Sequence, residues 1–311
     1  MRTITPIMLF LGLFISAGTA TAPDNPAPET GTSIPFFLQA NKIILPARVN
    51  NSRELHLILD TGMAFDGVLI YKPQLTDSLA LADTYHVQVG GAGSGGLNMA
   101  VMTDSANLQV GGLTLPGQAV LVLQDDKLAD FPRDGVIGYS FFGHYAVEID
   151  YHRMVIDLHD PGQFELDSAW HPLPIFFKEN RIPWLQVGVN VNGEADIPMS
   201  VYVDLASGES LALLIHDDMS WVLPEGLEEY YLGRGLSGDI HGYRGTIEAL
   251  SLGPYTLTGL TAAFAPREVR SKQPGADAVL GNGVLRRFNL VFDYAGKRLY
   301  MQPNRQFGSP P

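Results

Sequence analysis

Apolar residues come along this chain in short runs closed by glycine, proline, asparagine or aspartate, and helical spacing is hard to find. Ile43-Ile44-Leu45-Pro46-Ala47-Arg48-Val49 and Leu55-His56-Leu57-Ile58-Leu59 flank the turn residues Asn51-Ser52 and read as a hairpin whose second strand ends on Asp60. Gly67-Val68-Leu69-Ile70 is a further short strand, and Pro73 to Ala82 reads as helical or irregular. Tyr85 to Val89 and Leu97 to Met102 flank the glycine run Gly90, Gly91, Gly93, Gly95 and Gly96, which reads as a hairpin tip. No Lys-Ser or Lys-Thr pair follows those glycines, so they lack the rest of a phosphate-cradling loop. Leu108 to Leu115, Ala119 to Leu123, Asp134 to Gly138 and Ala146 to Tyr151 continue the strands.

The pattern then recurs. Trp184 to Val189, the turn Asn192-Gly193 and Val201-Tyr202-Val203 lead to a second strand-end aspartate, Asp204. Gly233 to Gly245 is a second glycine-rich hairpin, Leu250 to Leu257 echoes residues 108–115, and Asp277 to Gly281 echoes residues 134–138. From Asp60 to Gly138 is 78 residues and from Asp204 to Gly281 is 77, while Gly138 to Asp150 and Gly281 to Asp293 are both 12. The offset between the halves is 144 at the first aspartates, 142 at Leu108 and Leu250, and 143 at the closing glycines. A duplicated β unit of about 130 residues accounts for such spacing. The Pro-, Gly- and Asp-bearing segment 159–172 is the expected connection.

Composition sharpens this picture. With 46% hydrophobic and 17% charged residues, 33 glycines and 21 prolines, the chain is a folded, mainly-β protein with enough apolar material for a large core. A net charge of -13 with scattered basic residues argues against nucleic acid. The absence of cysteine excludes disulfides, thiolate catalysis and cysteine-bound zinc. Arg2, the apolar run Ile7 to Ala17 and the small residues Gly18 to Ala22 read as a secretory signal peptide cut after Ala20 or Ala22. No later stretch reaches the roughly 20 apolar residues of a membrane span. The expected protein is therefore periplasmic or secreted. Its expected organisation is residues 1–22 as the signal, 23–33 as an extended segment, 34–158 as the first lobe, 159–172 as linker, 173–305 as the second lobe and 306–311 as tail.

Asp60-Thr61-Gly62, the triplets Val136-Ile137-Gly138 and Val279-Leu280-Gly281, and the ending Phe288 to Tyr294 together resemble the pepsin-like and retropepsin-like aspartic proteases, closest to their bilobal bacterial form. The resemblance covers nearly the whole chain after residue 33. It implies an all-β fold of two barrel-like lobes related by a pseudo-twofold, each placing one aspartate, Asp60 or Asp204, at the floor of a cleft that takes an extended peptide under a flap. Two carboxylates about 3 Å apart share one proton and act together as general base and general acid on a water. Thr61 and Gly62 match the supporting positions of that motif, where the threonine bonds across the lobes and the glycine brings its amide to the carboxylates. Leu205 and Ala206 stand at the corresponding positions of the second lobe. Leu205 offers only its amide to the reciprocal pair, Ala206 needs a negative φ, and Ser207 brings a hydroxyl nearby. The flap falls on Gly90, Gly91, Gly93 and Gly95. Such an enzyme needs no cofactor, works as a monomer on a peptide or protein substrate, and requires neither nucleic acid nor a membrane span. The same residues also fit a catalytically silent member that binds a peptide or envelope partner in its cleft.

Other groups carry blander readings. Asp134, Asp150, Asp277 and Asp293 read as turn residues, and Trp170, Trp184 and Trp221 as core or cleft wall. The eight histidines show no metal-binding spacing, and His216-Asp217-Asp218 reads as a solvated turn.

Overall fold

The computed structural model describes residues 33–93, 95–178, 181–266 and 274–309, so the expected signal peptide and most of the extended segment lie outside the described residues. The first half runs β1 (Ser33–Pro35), β2 (Phe37–Gln39), β3 (Lys42–Val49), β4 (Leu55–Leu59), β5 (Val68–Ile70), β6 (Tyr85–Val89), β7 (Asn98–Val110), β8 (Leu113–Leu123), β9 (Gly135–Ile137), α1 (Tyr139–Phe142), β10 (Ala146–Asp150) and β11 (Val155–His159). The second runs β12 (His171–Pro174), β13 (Phe176–Phe177), β14 (Pro183–Asn190), β15 (Ile197–Asp204), β16 (Leu211–Leu214), β17 (Glu228–Gly235), β18 (Gly238–Leu252), β19 (Tyr255–Ala265), β20 (Ala278–Gly281), α2 (Asn282–Leu285), β21 (Phe288–Asp293) and β22 (Arg298–Pro303). The piece expected to be helical or irregular contains two 3-10 turns, Pro73–Leu75 and Asp77–Leu79.

The fold is all-β, in two lobes. In the first, β3, β4, β9, β5, β8 and β7 are neighbours in that order, and β3 also pairs with β7, which closes a six-stranded ring. In the second, β14, β15, β20, β16, β19 and β18 follow the same order and close through β14 and β18. Each strand of the first ring has its counterpart eleven strands later. A third sheet, β1-β11-β10-β21-β22-β12, joins the lobes, with Val147 opposite Phe292 and Ile149 opposite Leu290.

Burial explains why the aspartates stand where they do. β4 is buried on both faces, with Leu57 and Leu59 in the large basal core and Ile58 in a second cluster on the opposite face. A strand covered on both sides reads as a continuous apolar run, and each fully buried leucine or isoleucine contributes about 1.5–3 kcal/mol. Its neighbour β9 runs parallel to it, Leu57 opposite Gly135 and Leu59 opposite Ile137, and the Asp60 N–H donates to the Ile137 carbonyl at 2.8 Å. β15 and β20 repeat the arrangement, ending with Asp204 opposite Gly281. Asp134 and Asp277 lock these strands: their Oδ2 atoms accept the N–H of His56 and of Ser200, at 2.9 and 2.8 Å. Asp150 and Asp293 accept amides of the turns that follow them, from His152, Arg153 and Gly296. Trp184 lies in the second lobe's upper cluster and Trp221 in the basal core, while Trp170 is half-buried.

One reading is corrected in part. His216-Asp217-Asp218 does enter a turn in which both aspartates are exposed, but the His216 ring is only 8% exposed, its Nδ1 bonded to Asp218 and its Nε2 3.7 Å from Asp277 Oδ1. The ring folds back beside the loop that pins β15, a tertiary contact that a charged tripeptide does not announce. Among the described residues no helix is long and apolar enough to cross a membrane, and no three His, Asp or Glu side chains are grouped to hold a metal.

Candidate active site

Asp60 follows β4 and Asp204 ends β15, and the fold brings them together with neither carboxyl exposed. Asp60 Oδ1 accepts the Gly62 amide at 2.7 Å; Asp204 Oδ1 accepts those of Ala206 at 2.8 Å and Ser207 at 3.1 Å. Each Oδ2 is buried without a hydrogen-bond partner among the described residues. The carboxyls flank one point: a Cβ added to Gly62 would stand 3.0 Å from Asp204 Cγ and 3.2 Å from Asp60 Oδ1. Only glycine leaves them that room.

Two carboxyls so placed cannot both ionise freely. Burial pushes Asp60 well above the usual carboxylate range, and the charge of Asp204 pushes it further. Burial also raises Asp204, to about 7, against the opposing pull of Lys42 and the amides of Ala206 and Ser207. The pair titrates as a unit and holds a proton that an exposed carboxyl would release.

The supporting residues are unequal across the lobes. Thr61 Oγ1 donates to the Val203 carbonyl at 2.8 Å and accepts the Leu205 amide at 3.0 Å, so one threonine makes both bonds of a bridge between the lobes. Leu205 adds no side-chain bond in return; its side chain is buried in the basal core. Ala206 is absent from the positive-φ residues, so its methyl imposes no backbone strain, and it packs with first-lobe residues such as Met63 and Tyr71. The Ser207 hydroxyl is buried and without a partner among the described residues.

The glycine run does form a hairpin tip between β6 and β7, and it meets the tip between β17 and β18. Ser237 joins them: its carbonyl accepts the Gly95 amide at 2.6 Å, its N–H donates to the Ala92 carbonyl at 2.8 Å, and its Oγ accepts from Gly91 and donates to the Gly96 carbonyl. The apolar tips cross over. Ala92 packs in the second lobe's upper cluster with Trp184 and Tyr202, and Leu236 packs in the first lobe's with Tyr71 and Leu128. The contact between the tips thus involves a serine side chain and two inserted side chains as well as glycine backbone. Tyr85, at the base of the hairpin, is 43% exposed with its hydroxyl on Asp104.

The comparison with protein families falls on this region. Residues 45–141 match the aspartyl protease family. The matched span holds Asp60, Thr61, Gly62 and the first hairpin; Asp204 lies beyond it. No curated protein matches the chain significantly.

Three residues near the dyad escape a motif reading. Tyr71 and Tyr202 are fully buried, and burial together with the charges of Asp60 and Asp204 pushes both phenols well above their usual range. Lys42, 4% exposed, couples to Asp204, Glu209 and Asp60. Its only sequence signal is a lysine opening a strand whose later residues are almost all apolar.

Proposed function

We propose that the protein is an aspartic endopeptidase, exported to the periplasm or beyond, acting as a monomer on extended peptides. The observation that carries this reading is the pair of buried carboxyls flanking Gly62, each with one oxygen anchored by backbone amides and the other unpartnered. One proton shared between them supplies both halves of the chemistry. The ionised carboxylate takes a proton from a water that attacks the scissile carbonyl, while the protonated partner gives its proton to the carbonyl oxygen. A tetrahedral diol forms; as it collapses, the C–N bond breaks and a carboxyl proton passes to the leaving nitrogen. Positioned proton transfer of this kind contributes typically about 10²–10⁴-fold in rate. Both carboxyls come from one chain, so no second copy is needed to complete the site. Export is supported by Arg2 and the apolar run that follows it.

Both carboxyls are covered, so a peptide reaches them only if the cover opens. That cover, together with Leu205 and Ala206 in the second motif, favours the second reading: a silent relative that holds a peptide in the same cleft. Incubating the protein with a diverse peptide library from pH 4 to 8 and sequencing the products separates the two. The endopeptidase reading predicts internal cleavage that disappears in Asp60→Asn. A folded wild-type protein that cleaves nothing overturns it.

A further inference from the structure

We propose that Lys42 is the receptor for a carboxylate of the bound peptide, making the site selective for acidic chains at one position on one side of the dyad. This rests on the cleft being a peptide site, whether or not it cleaves.

The argument begins with the turn that carries Lys42. Ala40 and Asn41 join β2 to β3 with φ of 48° and 60°, the left-handed pair of a two-residue hairpin. The turn is docked on the second lobe: Asn41 Nδ2 donates to the Gly208 carbonyl at 2.9 Å, and Asn282 Nδ2 donates to the Asn41 carbonyl at 2.6 Å. A Cβ at Gly208 would stand 2.5 Å from the Ala40 carbonyl oxygen and 3.1 Å from Lys42 Nζ, so the ammonium lies against the loop that follows Asp204.

An ammonium has three N–H donors and no acceptor, and taking one out of water is costly unless it is paired. Lys42 Nζ is buried and has no hydrogen-bond partner among the described residues. Most neighbouring acceptors are committed elsewhere; the exceptions are the Oδ2 atoms of Asp60 and Asp204, which share the dyad's proton, and the Ser207 hydroxyl. Glu209 is held by Arg244 at 2.7 Å, the Gly208 carbonyl by Asn41, and the Oδ1 atoms of Asp60 and Asp204 by backbone amides. The pseudo-equivalent place in the second lobe is apolar. Lys42 stands two residues before Ile44, which pairs with Ile58; Ile182 stands two before Trp184, which pairs with Tyr202. Lys42 is therefore a buried positive charge with no buried counterpart at Ile182; the neighbouring Arg181 is exposed and paired with Asp66. A glutamate or aspartate side chain, or a terminal carboxylate, supplies the acceptors it lacks. Burial lowers the Lys42 ammonium to about 8, the charges of Asp204, Glu209 and Asp60 opposing that fall. The preference should therefore weaken as pH rises from 7 to 9, a range in which the peptide's carboxylate stays ionised and the buried Tyr71 and Tyr202 stay neutral. Asp204, raised to about 7, also loses its proton there, so the decay is read in Asp204→Asn, which lacks that titration.

The test uses fluorescent peptide pairs differing only by Glu or Gln at each position, plus free and amidated C-termini, with binding read by anisotropy on Asp204→Asn and cleavage on the parent. At one position, acidic peptides should bind at least about tenfold tighter than their amides at pH 6.5. Lys42→Met should bring that ratio to about 1, and Lys42→Arg should retain a preference. If Lys42→Met does not fold, the decay of the ratio between pH 7 and 9 in Asp204→Asn with Lys42 intact decides. Measurable binding with ratios near 1 throughout overturns the proposal and leaves the endopeptidase reading standing. An acid preference without cleavage upholds the proposal and overturns the endopeptidase. Binding of no peptide overturns both.

Discussion

The one-sided bridge beneath the dyad makes a quantitative prediction at Thr61. Valine keeps the shape of the side chain and removes the hydroxyl, leaving the Leu205 N–H and the Val203 carbonyl without the partner they have now. Both sit where exposure is nil, so water cannot readily replace it. Two lost bonds at about 0.5–1.5 kcal/mol each, with up to about 1–3 kcal/mol for each buried group left unsatisfied, give a loss of about 2–4 kcal/mol after local relaxation. For a chain of this size a kilocalorie moves Tm by roughly 2 °C, so Thr61→Val should melt about 4–8 °C below wild type. Thr61→Ser keeps the hydroxyl and should melt within about 3 °C. Calorimetry at pH 5.5 reads both, and peptide hydrolysis should fall in the valine variant because the same bond fixes the loop that carries Asp204. Equal melting of Thr61→Val and wild type would refute the claim that this hydroxyl ties the lobes together.

Gly62→Ala places a methyl 3.0 Å from Asp204 Cγ and should cut kcat by about tenfold or more by spreading the carboxyls, whereas Ala206→Gly, which removes a methyl that strains nothing, should stay within about threefold. Asp134 bears on acid stability: burial would raise it, but Arg53, the His56 amide and Lys72 outweigh that and hold it at about 2. A depressed carboxyl stabilises the fold above its unfolded value and loses that contribution as pH falls toward 2. Asp134→Asn should thus cost about 1–2 kcal/mol at pH 6, after allowing for solvent screening on the Arg53 side, and almost nothing at pH 2, as urea titrations at the two pH values would show. Ser237→Ala removes the two Oγ bonds between the hairpin tips while keeping the backbone pair, so amide exchange at residues 90–97 should quicken by about tenfold with the basal core unchanged.

What the chain disclosed by itself followed from local physics. Strands buried on both faces write continuous apolar runs, and a run ending on aspartate marks a strand end, so Leu57 to Asp60 and Val201 to Asp204 stand out. The near-constant offsets at Asp60 and Asp204, and at Gly138 and Gly281, match positions in two rings of the same strand order. The half-made bridge at Leu205 was also legible, because a missing hydroxyl is a property of residue type. What stayed hidden was set by contacts between distant parts. The crossing of Ala92 and Leu236 depends on how two hairpins meet, and glycine runs carry no record of a partner. Lys42 reads as an ordinary polar residue after a turn until Gly208 is brought against it. The burial of His216 depends on Asp277, 61 residues away.

The central claim, that Asp60 and Asp204 act as one acid–base unit, is tested most directly by kcat/KM for wild type, Asp60→Asn, Asp204→Asn and the double variant on one cleaved peptide. Residues that share one proton fail together. Each single variant should lose about 10³-fold or more, and the double should lose no more than the worse of the two. A single variant that keeps a tenth or more of the wild-type value, or losses that multiply in the double, would contradict the shared-proton dyad.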